Sequence, residues 1–420
     1  MDALSCDSPV LGVELMSVDD VLQRLEAQVT PLVKTEIVSL VDSLQRVLAK
    51  SVESNENVPP HANSSMDGYA ICWADWCDDK RVDHPVSQRI PAGSVGSKLE
   101  RNTAARIFTG APIPEGADVV VMQELCSTNQ VEGRQYLTIS TLPDVGENIR
   151  SVGEDIKAGS VILNSGHQLR SQDLGLLASI GVTSVEVYVR LRVAVFFTGD
   201  EIKEPGELLE PGQIYNSNRY TLTAMLKRWD CQVVGLGNVR DTLTATVEMF
   251  KYASEIADLI ITSGGVSVGE EDHIRPALEQ LGELAIWRIS LKPGKPLAFG
   301  KIDHVPFIGL PGNPVSVFVT SCVLARPFIK ALQGMPFASV TGIPIRAGFD
   351  LHYEVRRREY LRVRLQVGVD GVQTVVPFPN QSSGVLTSAS WADGFAVIRE
   401  GCRLSAGDDV EFIPFSFYEI

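Results

Sequence analysis

Hydrophobic residues near the start of the chain recur at helical spacing. Ser17 precedes a run that ends before Pro31 and places its apolar residues on one helical face (Val18, Val21, Leu22, Leu25 and Val29). This pattern predicts a helix with Ser17 as its N-cap. A second helix is predicted near residues 36–49, with a buried side made by Leu40, Val41, Leu44, Val47 and Leu48. Helical spacing returns at residues 171–180.

Between residues 58 and 150 the pattern changes to short apolar stretches that proline and glycine interrupt. Such stretches are typical of strands joined by turns. We therefore expect a β-rich domain that is inserted into a helical region, so that this region is discontinuous in sequence.

Residues 191–335 alternate short apolar runs with amphipathic stretches. The runs fit strands buried on both faces, and they cover residues 193–197, 231–236, 259–262 and 307–310. The stretches between them carry helical spacing at residues 222–229, 247–256 and 315–332. Strand and helix in alternation predict a parallel α/β sheet.

After residue 335 the apolar positions alternate with period two. Leu361, Val363, Leu365 and Val367 would face one side and Arg362, Arg364 and Gln366 the other, before a hairpin turn at Asp370-Gly371. The expected fold is α/β and multidomain. Its parts are a helical or mixed region (1–57 and 150–190), an inserted β-rich domain (58–149), a central parallel α/β domain (191–335) and a C-terminal β-barrel-like domain (336–420).

Composition narrows the class of protein. The chain has 420 residues and a formal net charge of −15, which disfavours nucleic acid as a partner. No apolar run approaches the roughly 20 residues that span a bilayer, and the first residues lack the basic region of a secretory signal. The seven cysteines show no CxxC spacing, so we expect a cytoplasmic protein with reduced thiols and no zinc site.

Polar residues directly follow three of the predicted strands. In open α/β sheets, ligands bind beyond the carboxyl ends of the strands. Thr198-Gly199-Asp200-Glu201 follows the first strand, residues 263–272 follow the third, and Pro311-Gly312-Asn313-Pro314 follows the fourth. The segment Ser263-Gly264-Gly265-Val266-Ser267 could cradle a phosphate with backbone N–H groups and hydroxyls. It lacks the Gly-Lys-Ser/Thr of a P-loop and the GxGxxG of a dinucleotide site, and a plain glycine-rich turn is the alternative.

Two basic segments are candidates for binding an anion. Lys292-Pro293-Gly294-Lys295-Pro296 carries two ammonium groups on a stiff turn. The alternative is a solvated face, but the acidic background favours an oxyanion site. Arg356-Arg357-Arg358 opens a predicted strand and could equally protect a sheet edge.

Two carboxylates outside the sheet domain stand in turn-like segments. Asp67 and Asp155 are each either a turn former or a functional acid. Carboxylates near bound phosphates normally require Mg²⁺ between the two. The six histidines are dispersed, and none is assigned a catalytic role.

Eight segments in order resemble one family, the molybdopterin molybdenumtransferases, which includes the C-terminal domain of gephyrin. The matching segments are NSSMDGYA (63–70), FTGAPIPEGAD (108–118), GENIRSVGEDI (146–156), TGDE (198–201), IYNSN (214–218), SGGVSVGEED (263–272), LKPGKP (291–296) and LPGNPVS (310–316). The resemblance implies an elongated homodimer with a molybdopterin-binding α/β domain. It also implies insertion of molybdate into adenylylated molybdopterin, with Mg²⁺ and release of AMP. The adenylyltransferase and molybdoenzyme acceptors or chaperones are further partners that it suggests.

The resemblance also carries roles onto particular residues. The catalytic acids would be Asp67, Asp155, Glu201, Asp241 and Asp272, with Glu201 and Asp272 as metal ligands. The substrate-binding residues would be Thr109, Asn216, Asn218, Ser263, Gly264, Gly265, Ser267, Lys292, Gly294, Lys295, Pro311, Gly312, Asn313, Ser316, Arg357 and Ser383. Arg356 stands where the family usually has glycine, and Gly384 stands where a larger residue is common.

Two other functions are compatible with parts of the sequence. Adenylyltransferases that activate the pterin share a similar α/β domain, but they need neither the inserted nor the C-terminal β-domain. A gephyrin-like binding scaffold is the alternative from another class. A peptide pull-down compared with a cofactor-insertion assay separates the scaffold from the enzyme.

Overall fold

The computed structural model describes residues 15–77, 83–266, 273–369 and 371–420. These residues form two compact units. The first unit contains the described residues up to 36, residues 45–49 and residues 186–420; the second contains residues 37–44 and 50–185. The four boundaries expected from the sequence stay a prediction.

The helices of both units are named in chain order. They are α1 (Val18–Ala27), α2 (Ser171–Ser179), α3 (Ser217–Arg228), α4 (Leu243–Ile256), α5 (Ile274–Leu281), α6 (Pro314–Thr320), α7 (Arg326–Leu332) and α8 (Leu386–Trp391).

The strands are named in the same way. Those up to residue 188 are β1 (Thr35–Ser39), β2 (Val52–Glu53), β3 (Asn63–Ser64), β4 (Gly68–Ile71), β5 (His84–Ile90), β6 (Ala104–Ile107), β7 (Val119–Met122), β8 (Cys126–Val131), β9 (Arg134–Ile139), β10 (Ile149–Arg150), β11 (Val161–Leu163) and β12 (Ser184–Tyr188). The later strands are β13 (Arg192–Thr198), β14 (Ile202–Lys203), β15 (Ile214–Tyr215), β16 (Gln232–Val239), β17 (Leu259–Ser263), β18 (Gly282–Arg288), β19 (Leu291–Lys292), β20 (Pro296–Ile302), β21 (Val305–Leu310), β22 (Ile343–Ala347), β23 (Arg358–Val367), β24 (Gln373–Pro377), β25 (Gly394–Ile398) and β26 (Asp409–Pro414).

The N-terminal helix has the expected cap, because Ser17 Oγ accepts the backbone N–H of Asp20 at 3.1 Å. The helix predicted near residues 36–49 is wrong. Its first half is strand β1, which pairs with β12, and a short 3₁₀ turn follows. Val41 and Leu44 are exposed instead of buried, whereas Val47 and Leu48 are buried as expected.

The second unit is built on a six-stranded sheet in the order β7-β4-β6-β5-β9-β8. Only β5 and β6 run parallel among its pairs. Apolar clusters pack against it, one around Trp76 and another around Ile107. The expected β-rich character of this part of the chain is confirmed.

The first unit contains a second six-stranded sheet, in the order β16-β13-β17-β21-β20-β18. The first four strands are parallel, as predicted. The antiparallel strands β20 and β18 extend it and were not predicted. Buried residues of α1, α3, α6 and α7 pack on one face of the sheet, and those of α4 and α5 pack on the other.

A closed five-stranded barrel forms the C-terminal part. Strands follow in the order β23-β24-β22-β26-β25, and β23 also pairs with β25, which closes the ring. Leu361, Val363 and Leu365 of β23 pack in one apolar cluster, as the alternation predicts, while Arg362 on the other side is buried and Val367 is exposed. Asp370 lies outside the described residues, but β23 and β24 form the predicted hairpin around it, with Gly371 at φ +78°.

Residues 314–332 form one long helical segment in which a π-helical turn separates α6 from α7. Its 19 residues are apolar enough, with a mean hydropathy of 1.6, to cross a membrane, but 94% of the segment is buried inside the protein. Its apolar character is therefore that of a core helix.

Candidate functional site

The register of the sheet brings the predicted basic turn and the glycine loop to one edge of the sheet, namely the edge at which the parallel strands end. Ser263 at the end of β17 lies opposite Leu310 at the end of β21. On the other side of β21, Gly309 lies opposite Ala298 of the antiparallel β20. Strand β20 therefore begins at the edge where β17 and β21 end, and the turn of residues 292–295 directly precedes it. Two strand spacings of about 4.8 Å separate β17 from β20, so the two segments are on the order of 10 Å apart along the edge.

The loop after β17 requires its glycines. Gly264 has φ +97° and Gly265 has φ +64°. A Cβ at Gly264 would lie 2.6 Å from the carbonyl oxygen of Thr198, which is backbone and cannot move aside easily. Of the remaining predicted residues of this segment, Ser267 and Asp272 lie outside the described residues.

Asn218 connects three elements at this edge. Its Nδ2 donates to Ser263 Oγ at 3.0 Å and to the carbonyl oxygen of Gly312 at 2.7 Å. Ser263 Oγ in turn donates to the carbonyl oxygen of Pro311 at 2.8 Å. Helix α3, strand β17 and the loop after β21 are thus held in one arrangement.

Asn216 has a structural role as the N-cap of α3. Its side-chain oxygen accepts the backbone N–H of Arg219 at 3.1 Å, and its Nδ2 donates to Asn238 Oδ1 at 2.9 Å. Because Asn216 is also buried, the structure places it beneath the site as a residue that positions α3.

Two buried oxygen atoms at this edge lack a hydrogen-bond partner among the residues that the structure describes. They are Thr198 Oγ1 at the end of β13 and Asn218 Oδ1. Buried polar atoms in proteins are nearly always satisfied. Thr198 Oγ1 lies directly beside the glycine loop, 2.8 Å from the position of a Cβ at Gly265, so it is a candidate for hydrogen bonding to a bound group.

The loop after β21 leads into α6, with Asn313 as the cap residue and Pro314 as the first helical residue. The backbone N–H of Val315 donates to the carbonyl oxygen of Ser383 at 3.0 Å, which brings the predicted site residue Ser383 to the start of α6. Ser316 follows in the first turn and is buried. Gly294 packs on the same helix, since a Cβ there would lie 2.7 Å from Thr320 Cγ2.

The two lysines of the basic turn have different surroundings. Lys292 Nζ donates to Glu359 Oε1 at 2.9 Å and lies 5.4 Å from the centre of the Tyr353 ring. Lys295 forms no ion pair with any residue in the described part of the chain. Lys295 therefore contributes the uncompensated positive charge of the turn, and Glu359 is a neighbour of the site that the sequence reasoning did not single out. In the sequence, Glu359 is marked only as the single carboxylate of the segment RRREYLR (356–362).

The arginine cluster divides between two roles. Arg358 makes two hydrogen bonds of 2.7 Å to the Asp19 carboxylate and is buried. Arg357 is half-buried beside the basic turn, with Nη1 3.5 Å from the Leu291 carbonyl oxygen. The edge-protection alternative is wrong, because β23 pairs on both sides, with β24 and with β25 and β19.

Carboxylates collect after β13. Glu201 is exposed, and its carboxylate folds back over the strand end, since a Cβ at Gly199 would lie 2.5 Å from its Oε2. The backbone N–H of Asp241 lies 3.5 Å from Asp200 Oδ1. Carboxylate oxygens are the ligands that Mg²⁺ prefers. Within the described residues no three Asp, Glu, His or Cys side chains are grouped as a metal site.

Three predicted residues belong to the second unit. The backbone N–H and Oγ1 of Thr109 both donate to Asp67 Oδ1 at 2.8 Å, and these bonds lower the pKa of Asp67. Asp67 is therefore a carboxylate at neutral pH. Asp155 is exposed on a loop whose backbone N–H donates to the Val58 carbonyl oxygen at 3.0 Å.

Models of three protein families match successive parts of the chain. They are described as "MoeA N-terminal region (domain I and II)" over residues 16–181, "Probable molybdopterin binding domain" over residues 194–331 and "MoeA C-terminal region (domain IV)" over residues 344–415.

Curated relatives match over nearly their whole length. A molybdopterin molybdenumtransferase of Haemophilus influenzae is 38% identical over 405 residues, which is 96% of this chain and 99% of the relative. One from Bacillus subtilis is 32% identical and covers 88% of this chain and 87% of the relative. The crystal structure of the molybdopterin biosynthesis MoeA protein from Pyrococcus horikoshii OT3 matches with a TM-score of 0.81 at 25% identity, over 95% of this chain and 99% of that one.

Proposed function

Because the chain belongs to the molybdopterin molybdenumtransferase family, we propose that it inserts molybdate into adenylylated molybdopterin, with Mg²⁺-dependent release of AMP. It is a transferase of molybdenum cofactor biosynthesis. The use of Mg²⁺, the adenylylated form of the substrate and the release of AMP are the finer parts of the proposal.

One observation carries the assignment of the site. The turn with Lys295 and the loop of Ser263, Gly264 and Gly265 lie at the same edge of the sheet. An oxyanion at the turn and a phosphate at the loop would then be neighbours, held by fixed groups that need no rearrangement during the reaction.

Each side of the site has a separate task in this proposal. Lys295 and Lys292, with Arg357 and Ser383, would bind molybdate. The backbone of the glycine loop, with Pro311–Asn313 and Ser316 at the start of α6, would bind the pyrophosphate that joins pterin to adenylate.

Two acids of the first unit would act on the phosphate side. Glu201 and Asp272 would hold Mg²⁺, which offsets the negative charge of the pyrophosphate when it is bound. Asp67, Asp155 and Asp241 stay proposed catalytic acids. The two hydrogen bonds from Thr109 keep Asp67 ionised, which suits it to orient a proton donor or a cation.

The proposal is tested by incubating the purified chain with adenylylated molybdopterin, Mg²⁺ and molybdate and measuring AMP. Lys295→Gln should lower molybdate-dependent AMP release at least tenfold, because one charged hydrogen bond is worth about 1.5–3 kcal/mol. Lys301→Gln, at the opposite end of the same strand β20, is the matched control and should leave the rate within twofold. A wild-type chain that releases no AMP, or equal rates in the two variants, would contradict the assignment.

The two alternatives have less support. The matches to the MoeA N-terminal and C-terminal regions flank the α/β domain, and a free-standing adenylyltransferase needs neither. A binding scaffold explains neither Lys295, which has no ion pair among the residues that the structure describes, nor Thr198 Oγ1, which has no hydrogen-bond partner among them.

We also propose that the chain is a cytoplasmic homodimer. Ile37 and Val41 in the second unit are 76% and 85% exposed, and large apolar side chains on a surface favour a protein contact. Light scattering should give twice the mass of the chain for the wild type and a smaller mass for Ile37→Glu/Val41→Glu. A monomeric wild type would refute the dimer. The adenylyltransferase and molybdoenzyme acceptors or chaperones stay proposed partners.

A further inference from the structure

A pocket of about 200 Å³ lies next to the basic turn, between it and the C-terminal barrel. Most of its wall is apolar and is contributed by Phe349, Leu351, Pro377 and Phe378. Lys292 lines the same pocket, so the pocket adjoins the proposed molybdate site. Apolar walls around a small space suit an aromatic ring better than a strongly hydrated group.

The polar part of the pocket includes two carboxylates, Glu359 and Asp350. Asp350 Oδ1 accepts the backbone N–H of Ala406 at 2.9 Å, and Glu359 has the following surroundings. This residue is only 3% exposed. Its Oε1 accepts from Lys292 Nζ and its Oε2 accepts from the Tyr353 hydroxyl, both at 2.9 Å. Each carboxylate oxygen offers about two acceptor positions, so each retains one. Two acceptors side by side on one carboxylate match a ligand with two parallel N–H donors.

Arg362 supports this carboxylate from within the barrel. It also lines the pocket and is only 1% exposed. Its guanidinium donates to neutral oxygens, namely Ser388 Oγ at 3.0 Å and the carbonyl oxygens of Tyr360 and Ser382 at 3.3 Å. Burial lowers the pKa of Arg362 to about 10, so it still carries its charge at neutral pH. Lys292 and Arg362 thus place two positive charges beside the Glu359 carboxylate.

We propose that this pocket receives the pterin ring of the substrate, with Glu359 accepting from the two N–H donors of its pyrimidine edge. The inference rests on the proposed function, which supplies a pterin as the substrate. The 2-amino group and the neighbouring ring N–H of a pterin point in parallel, as the carboxylate requires, and the apolar walls cover the ring faces. A phosphate would instead meet the negative charge of Glu359.

The position of Lys292 connects the pterin pocket to the reaction. This lysine binds Glu359 on one side and belongs to the turn with Lys295 on the other. A ring held by Glu359 would place the rest of the substrate against that turn. Glu359 is then a specificity-determining residue, which selects the ring and does not take part in the exchange at molybdenum.

The test is a fluorescence titration of the full chain with pterin and with lumazine, which has a carbonyl oxygen where pterin has the 2-amino group. The wild type should bind pterin at least about tenfold more tightly, because lumazine would leave an acceptor of the buried carboxylate facing an oxygen. Glu359→Gln should lose this preference. The matched control is Glu354→Gln, at an exposed glutamate of the same segment, and it should keep the preference.

A second variant keeps the test decisive if Glu359→Gln fails to fold. Leu351→Trp fills the pocket from a half-buried position and should abolish binding of both rings. Equal affinities of the wild type for the two rings, no saturable binding, or full pterin binding by Leu351→Trp would overturn the proposal. AMP release is measured in parallel, so that failure of the pterin pocket can be distinguished from failure of the proposed function. Release of AMP without a pterin preference rejects the pocket alone, and a pterin preference without AMP release rejects the proposed function.

Discussion

Replacement of Asn218 by alanine tests how the phosphate side of the site is held together. The side chain donates two hydrogen bonds, to Ser263 Oγ at 3.0 Å and to the Gly312 carbonyl oxygen at 2.7 Å. Each is worth about 1 kcal/mol net, so Asn218→Ala should destabilise the first unit by about 2 kcal/mol. Ser263 keeps its own bond to Pro311, so no larger loss is expected. For a domain of some 150–250 residues this corresponds to a Tm lower by about 4–8 °C.

Differential scanning calorimetry measures the loss, and the AMP assay measures its functional effect. Release of AMP should slow, because the glycine loop and the Pro311–Asn313 loop are no longer tied to α3. Asn129→Ala is the control, since Asn129 makes one exposed bond to Asp83 at 2.9 Å and should shift the Tm by less than about 2 °C. Equal Tm values for Asn218→Ala and Asn129→Ala would refute the claim that Asn218 links these elements.

Three further predictions concern other parts of the molecule. The hydrogen bonds of Asp173 to Arg170 and His167 lower the pKa of its carboxyl group. The ionised carboxylate therefore stabilises the fold above the unfolded pKa of about 4, and this stabilisation is lost as pH falls through the lower folded pKa. Urea unfolding should show that Asp173→Asn loses less stability than the wild type below about pH 4. A double-mutant cycle on Arg358 and Asp19 should give a coupling free energy of about 1 kcal/mol and no more, because the Asp19 side chain is 66% exposed. A coupling free energy near zero would show that the two hydrogen bonds between these residues do not stabilise the fold. Gly264→Ala should cost about 1–3 kcal/mol in thermal unfolding, because alanine is strained at φ +97°, and a stability equal to the wild type would contradict the geometry of the loop.

Much of the sheet domain could be predicted because its signals are local. The buried parallel strands appear as apolar runs, and the amphipathic spacing of α3 and α4 is visible in the sequence alone. The same holds for the strand ends, where Ser263 and Pro311 directly follow the apolar runs. These residues are brought together, since parallel strands end at one edge.

The sequence did not predict the structure of segments that depend on contacts with residues far away in the chain. Residues 35–39 have spacing compatible with a helix, but β-branched Ile37 and Val38 suit a strand, and pairing with β12 almost 150 residues later makes it one. The burial of Arg362 depends on acceptors in the segment of residues 382–388. Period-two alternation shows which residues share a side of the strand, but it cannot show such acceptors, so it did not predict the burial of this arginine.

The pairing of Lys292 with Glu359 was missed for a related reason. The two residues are 67 positions apart in the chain and meet only because β19 joins β23 in register. A sequence pattern shows that two lysines share a stiff turn, but it does not show which of them has a carboxylate partner. The distinction between a neutralised Lys292 and an uncompensated Lys295 therefore came from the structure.

Anomalous diffraction from crystals soaked in molybdate tests the central claim most directly, since data collected at the molybdenum absorption edge locate the metal without a model of the ligand. We expect one strong peak within hydrogen-bonding reach of Lys295 Nζ, next to Arg357 and the Ser383 loop and at the same sheet edge as Ser263. A peak at the opposite edge of the sheet, or none near Lys295 at a saturating concentration, would contradict the account.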